Sequence, residues 1–397
     1  MLKNPAIFVS HPGLQHSHQL AWALHERGLL KAFWSGVPVV SKDEALPFWL
    51  PISYAQRVKK VAIPPELRRH PLFFQGVLRV GGAVLPSVFS REDYAHRIFH
   101  CFDWWVAKHI QRIQPKVVVA YENSAYHTFR AAKAVGARCI LDASSLHHST
   151  AERLMTVKKT PYLAEINRRK DCEVELADLI LTCSPLAAES YLEAGVPYEK
   201  VRSVLLGADL GETICSWQTH VQPLHFIFAG GLQYRKAIDV ILAVFNRLNK
   251  ESFPYQLSFI GGESEPGWIE AIQQTPNANH QGSLAQSVLF QKLAQADCFL
   301  LPSRCDSFGM VVAESMACGT PAIVSQQTGA KALIEQFPGS GWIVECTENS
   351  LYCCIKDRIE NREALFAARK IAIEASRHFT WQAYRERVGQ LIEDWID

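Results

Sequence analysis

No run of about 18 uncharged apolar residues occurs in this 397-residue chain, so no membrane-spanning helix is predicted. Eleven cysteines are scattered without a single Cys-x-x-Cys pair, which argues against a zinc site and against a disulfide framework. Most are expected to be small buried residues in a reducing cytoplasm. A Gly-x-Gly-x-x-Gly fingerprint is missing, so a dinucleotide site is poorly supported. An Asp-x-Asp pair is missing too, and no bound metal is expected. Before the first strand there is no basic-then-apolar leader, so export is not predicted and a cytoplasmic location is.

What is present is an ordinary globular composition, 48% hydrophobic and 20% charged, long enough for two domains. The net charge of +2 hides an asymmetry, because residues 1–115 carry a balance of +7 and the remainder −5. Much of the basic charge lies between Arg57 and Arg112, around the apolar segments Pro71–Leu78 and Ala83–Leu85. Basic residues beside an apolar element suit an anionic membrane surface, so peripheral contact at the inner face of a membrane is an expectation, and nucleic acid is not.

Strand and helix patterns alternate along the chain. Strands are predicted at Ala6–Ser10, Lys116–Ala120, Arg138–Asp142, Leu179–Cys183, His225–Ala229, Tyr255–Gly262, Cys298–Leu301 and Pro321–Ser325. Buried-strand runs separated by amphipathic helices, such as that carrying Ile238, Ile241, Leu242, Phe245 and Leu248, imply doubly wound parallel sheets. Ligands bind such sheets at strand carboxyl ends. The loaded ends here are the loop His11–His18 with Gly13 and His16, the tripeptide Tyr121-Glu122-Asn123, the run Asp142–His148, and Gly230-Gly231-Leu232-Gln233-Tyr234-Arg235-Lys236. Glycines followed by paired cations before a helix make a sensible diphosphate cradle.

The densest stretch is Leu300–Pro321. A strand is stopped by Pro302, a polar loop holds Asp306, and after Gly309 a helix runs to Gly319 with Glu314 about one turn inside it. Two carboxylates flanking a helix N-terminus suit a phosphorylated, polyhydroxylated small molecule. The stretch resembles the Glu-x7-Glu signature of retaining, sugar-nucleotide-dependent glycosyltransferases (group 1, family 4-like), at Pro302, Ser303, Phe308, Gly309, Glu314, Met316, Ala317, Gly319 and Pro321. Asp306 stands where that family usually has Glu. Gly231 stands where its phosphate-binding segment has Arg, with Lys236 at its lysine.

The resemblance implies a GT-B fold, α/β with two Rossmann-like doubly wound domains facing a cleft. It implies an acceptor domain over residues 1–205, a linker over 206–223, a donor-nucleotide domain over 224–378, and a helix over 379–397 returning to the first domain. The implied activity is retaining transfer of a sugar, as in a hexosyltransferase, from a UDP-, GDP- or ADP-linked donor to a hydroxyl of a glycan or lipid-linked acceptor, with no cofactor or metal required. Implied donor-binding residues are Gly13, Gly230, Arg235, Lys236, Gly282, Ser283, Asp306, Ser307, Phe308, Gly309, Met310 and Glu314. Implied catalytic residues are Asp306, Lys236 and one of His147 and His148; His16 and Glu122 would face the acceptor. The alternatives are a silent nucleotide- or partner-binding relative and a GT-B enzyme of other chemistry, such as an inverting transferase or an epimerase.

Overall fold

The protein is described from a computed structural model over residues 6–41, 44, 58–71, 91–155, 160–208 and 223–397. Residues 72–78 and 83–85 of the apolar segments, and 209–222 of the expected linker, lie outside the described residues. No helix among the described residues is long and apolar enough to cross a membrane.

The first half builds a sheet from β1 (Ile7–His11), β2 (Leu30–Ser35), β5 (Arg68–Arg69), β6 (Val117–Tyr121), β7 (Arg138–Ala143), β8 (Leu179–Thr182) and β9 (Val201–Ser203). A separate two-stranded ribbon pairs β3 (Val39–Val40) with β4 (Lys59–Lys60). The second half builds a sheet from β10 (Leu224–Ala229), β11 (Tyr255–Ile260), β12 (Ala278–His280), β13 (Cys298–Leu301), β14 (Ala322–Ser325) and β15 (Gly341–Val344). Every pairing in both sheets is parallel. Their central strands are apolar on both faces because helices cover both, so β1, β6 and β13 have no exposed position.

Strand order fixes where a ligand can sit. The first sheet runs β5-β2-β1-β6-β7-β8-β9 and the second β12-β11-β10-β13-β14-β15. In each the chain starts in the middle, winds to one edge, then returns to wind to the other. The order therefore reverses between β1 and β6, and between β10 and β13, and the connections there leave the strand carboxyl ends on opposite sides of the sheet, opening a crevice. The loops at those crevices are the ones that carry the histidines, the paired cations and Asp306.

The helix Trp381–Ile396 lies against the helix Ser17–Glu26 of the first half. Arg385 Nη1 donates to Gln19 Oε1 at 2.8 Å, and Arg27 Nη2 donates to the carbonyl of Glu386 at 3.0 Å. The approach is tight at Gly207, where a Cβ would come within 2.4 Å of the Thr380 backbone, so a side chain at 207 would force the two segments apart.

Candidate functional site

After β10 the chain makes Gly230, at φ +151, and then one 3-10 turn at Tyr234–Lys236 before the helix Ile238–Lys250. Gly230 is pressed against the neighbouring loop, since a Cβ on Gly261 would sit 1.9 Å from its carbonyl oxygen. The turn aims its two cations at the loop after β13. Arg235 Nη1 donates to the carbonyl of Cys305 at 2.7 Å, and Lys236 Nζ pairs with the Asp306 carboxylate, both side chains nearly buried.

The loop after β13 is pinned from below. Asp306 N donates to Gln327 O at 3.0 Å and accepts Gly329 N on its carbonyl at 2.8 Å. It ends at Gly309, whose φ of +90 and a Cβ position only 2.8 Å from Leu301 Cδ2 admit no other residue without strain. The helix Met310–Ala317 starts there with no side-chain cap, leaving free N–H groups and the positive dipole end toward the cleft. One turn on, Glu314 is half-buried beside the Gln286 amide, 3.5 Å away. Burial pushes its carboxyl up to about 7, against the pull of Gln286 and of the Lys59 charge.

The opposite wall comes from the first half. His16 Nε2 lies 2.9 Å from Asp142 Oδ1, both side chains buried. Burial alone would depress the ring's basicity, but the charge and hydrogen bond of Asp142 outweigh it and raise the His16 pKa. His18, two residues on, moves the other way, to about 3, through burial and then the charges of Lys59 and His16. The halves touch directly where Ser184 Oγ donates to Ser307 O at 2.5 Å, a contact a Cβ on Gly329 would destroy by sitting 2.0 Å from that carbonyl.

Between these walls lies a cleft of about 670 Å³, a size that suits a nucleotide. His16, Gly230, Arg235, Lys236, Asp306, Ser307, Phe308, Gly309, Met310 and Glu314 line it. The other implied site residues, Gly13, Gly282, Ser283, Glu122, His147 and His148, do not. Gly13 donates its N–H to His11 Nδ1 at 2.9 Å, and Gly282 accepts Gly261 N at 2.8 Å behind the Gly230 contact, with Ser283 beside Gly262. The Glu122 carboxylate is enclosed by Ser145 and by the Tyr191 hydroxyl at 3.3 Å, and burial raises its pKa. His147 caps the helix His148–Leu154, accepting Ser149 N, while His148 Nε2 takes Asp171 Oδ1 at 2.7 Å. These two histidines and Asp171 are the one group among the described residues with three metal-type ligand atoms within 4.8 Å, and they bind one another rather than the cleft.

Sequence reasoning missed Lys59, Lys60, Gln286 and Trp381, which also line the cleft. The excess of basic residues before position 115 was the only signal for the lysines.

Residues 223–361, which hold all of the second wall, match the model of the family described as glycosyl transferases group 1. The second half is similar to the group 1 glycosyl transferases. Its relatives include the amylovoran biosynthesis glycosyltransferase AmsK of Erwinia amylovora, 26% identical over 258 residues that make up 57% of this chain and 62% of that one. The chain spans less than two thirds of the length of the curated relatives it matches. Over nearly its whole length it superposes on sucrose-phosphate synthase of Thermosynechococcus elongatus, with a TM-score of 0.64, 17% identity and 98% of each chain covered. It also superposes on Anabaena Alr3699/HepE in complex with UDP-glucose, with a TM-score of 0.64, 14% identity, and 98% of this chain and 100% of that one covered. The fold formed by the two halves is GT-B.

Proposed function

We propose that this chain is a retaining glycosyltransferase that moves a sugar, as a hexosyltransferase does, from a nucleotide-diphosphate donor to a hydroxyl of a glycan or lipid-linked acceptor without a divalent metal. The observation that carries the reading is the Lys236–Asp306 pair at the uncapped start of the helix Met310–Ala317, with Glu314 one turn inside. Lys236, Arg235 and the N–H groups around Phe308, Gly309 and Met310 hold the diphosphate, and the cations with the helix end neutralise the leaving group as a metal would elsewhere. Glu314 accepts the ribose hydroxyls. Asp306 takes a hydroxyl of the donor sugar. Residues 224–378 thus hold the donor, residues 1–205 the acceptor, and the segment 379–397 ties the second to the first. The UDP-glucose complex of HepE makes UDP the first nucleotide to test.

In this mechanism the acceptor oxygen bonds to the anomeric carbon while the carbon–oxygen bond to the diphosphate breaks. The diphosphate leaves with the electron pair, and its oxygen takes the acceptor proton. Electrostatic preorganisation supplies the catalysis, so no protein nucleophile is needed.

One observation favours a second reading. His16, on the cleft and held by Asp142, is placed as a base for the acceptor hydroxyl, which would suit attack from the face opposite the leaving group and inversion. The anomeric configuration of the product by NMR separates the two: retention supports the first reading and inversion replaces it. Turnover of a UDP-, GDP- or ADP-sugar by the full chain and by Lys236→Ala tests the site itself, and near-normal turnover in the variant would remove Lys236 from it.

A further inference from the structure

The turn that carries Lys236 is tied down by a residue that does not itself line the cleft. Arg304, on the loop after β13, donates its backbone N–H to the carbonyl of Arg235 at 2.9 Å and its Nη1 to the carbonyl of Tyr234 at 2.9 Å. The same guanidinium forks onto Asp239 in the first turn of the helix Ile238–Lys250, with Nη1 2.7 Å from Oδ1 and Nη2 2.6 Å from Oδ2. Its central carbon lies 3.9 Å from the centre of the Tyr234 ring. Between these two anchor points Ala237 is fully buried at φ +58 and ψ +39. That is the left-handed region, which a residue with a Cβ holds only where its surroundings impose it.

A two-pronged guanidinium–carboxylate pair fixes direction as well as distance. Lys236 lies inside the tied segment, between the carbonyls that Arg304 binds and the Asp239 carboxylate, and immediately before the strained Ala237. With the tie cut, Ala237 is free to relax to ordinary backbone, and the Lys236 side chain then loses its aim at Asp306 and the open start of the helix Met310–Ala317. Asp239, like Arg304, does not line the cleft, so neither side chain is placed to touch a ligand. Resting on the transferase reading of the cleft, we propose that Arg304 and Asp239 are positioning residues that hold Lys236 toward the donor diphosphate. Positioning and direct charge differ in sign at Asp239. A carboxylate behind an anion site repels the anion, so on charge alone its removal tightens diphosphate binding. On positioning, its removal weakens that binding.

The test uses the full chain, Asp239→Ala, Arg304→Gln, Lys236→Ala and the double variant Lys236→Ala/Asp239→Ala. Calorimetry measures UDP, GDP, ADP and pyrophosphate. Hydrogen exchange is read at the amides of Lys236 and Ala237, which donate to the carbonyls of Gln233 and Tyr234 at 3.0 and 2.9 Å. Asp239→Ala and Arg304→Gln are each expected to speed exchange at those amides and to weaken, about tenfold, whichever of the four probes the unmodified chain binds. In the Lys236→Ala background Asp239→Ala is expected to cost less than about threefold more, because the cation it positions is gone. Equal or tighter binding in Asp239→Ala, unchanged exchange, or a full tenfold further loss in the Lys236→Ala background overturns the proposal. The Asp239 side chain is 40% exposed, so Asp239→Ala is expected to fold, with an unchanged melting temperature as the control. If it does not, Asp239→Asn, which keeps the side chain's size, takes its place with the same expected sign. Binding of pyrophosphate but of no nucleotide would defeat the transferase reading and still decide the role of the pair; binding of none of the four defeats both.

Discussion

Two helices begin at the carboxyl edges of the two sheets and are treated in opposite ways. The helix Tyr126–Ala134 is closed by the protein's own carboxylates. Glu173 accepts Asn123 N at 2.7 Å, Ala125 N at 3.0 Å and Tyr126 N at 3.1 Å, and Asp103 accepts His127 N and Thr128 N at 2.8 Å. Both carboxyls are fully buried; burial pushes Glu173 up to about 8, so the negative charge at this end is that of Asp103, paired with Arg169 Nη2 at 2.9 Å. The helix Met310–Ala317 has no such closure. Its nearest carboxylate, Asp306, reaches only Phe308 N at a long 3.4 Å and gives its other oxygen to Lys236. The same demand for negative charge exists at both ends. Where the chain meets it internally the end is structural; where the chain surrounds it with cations and leaves it open, the proposed function has an anion from outside complete it.

The comparison breaks most sharply at Asp103. Asp103→Ala removes the ion-pair partner of the buried Arg169 and the acceptor of two backbone donors, and is expected to cost about 3–5 kcal/mol in denaturant unfolding. Asp103→Asn, which folds more readily, is expected to leave nucleotide affinity unchanged; a loss of affinity there would mean that the closed end is also functional. At the open end the effects invert. Lys236→Ala is expected to lower kcat by about 10²–10³-fold, the scale of removing one preorganised charge. Glu314→Ala is expected to weaken nucleoside diphosphate binding about tenfold by calorimetry, the loss of charge-assisted bonds to hydroxyls.

The smallest effect is on pH dependence. Burial raises Glu314 to about 7, so in the free protein its ionisation opposes folding and this stability is lost as pH rises from the ordinary carboxylate range through about 7. On the proposed role the ionised carboxylate accepts the ribose hydroxyls more strongly than the neutral acid does. Nucleotide affinity is therefore expected to rise between about pH 6 and pH 8, and Glu314→Gln to flatten that rise. An unchanged slope in Glu314→Gln would place the titrating group elsewhere.

The open end was legible in the sequence because its parts are contiguous. One strand, loop and helix carry Leu301 to Ala317, and one strand and turn carry Ala229 to Lys236, so periodicity and spacing sufficed. The predicted strand positions held to within two residues for the same reason, as buried parallel strands are short apolar runs. The facing wall is assembled from the loop after β1, the ribbon strand β4, the residues just after β7, β8 and β9, and the start of the final helix, segments that only tertiary packing brings together. Thus His16 could be named but not its tie to Asp142, and Lys59 lay in a stretch without a usable pattern. The histidines at 147 and 148 show the converse. Their place after a strand suggested the cleft, but a helix starts at that point, spends His147 on its own N-terminus and turns His148 to Asp171.

The most direct measurement is calorimetry of UDP, GDP and ADP on the full chain and on Lys236→Ala. If the open helix end and its lysine hold a nucleoside diphosphate, at least one of the three binds, and the variant binds it at least about tenfold more weakly. Binding by none of them, or equal binding by both proteins, would contradict the account.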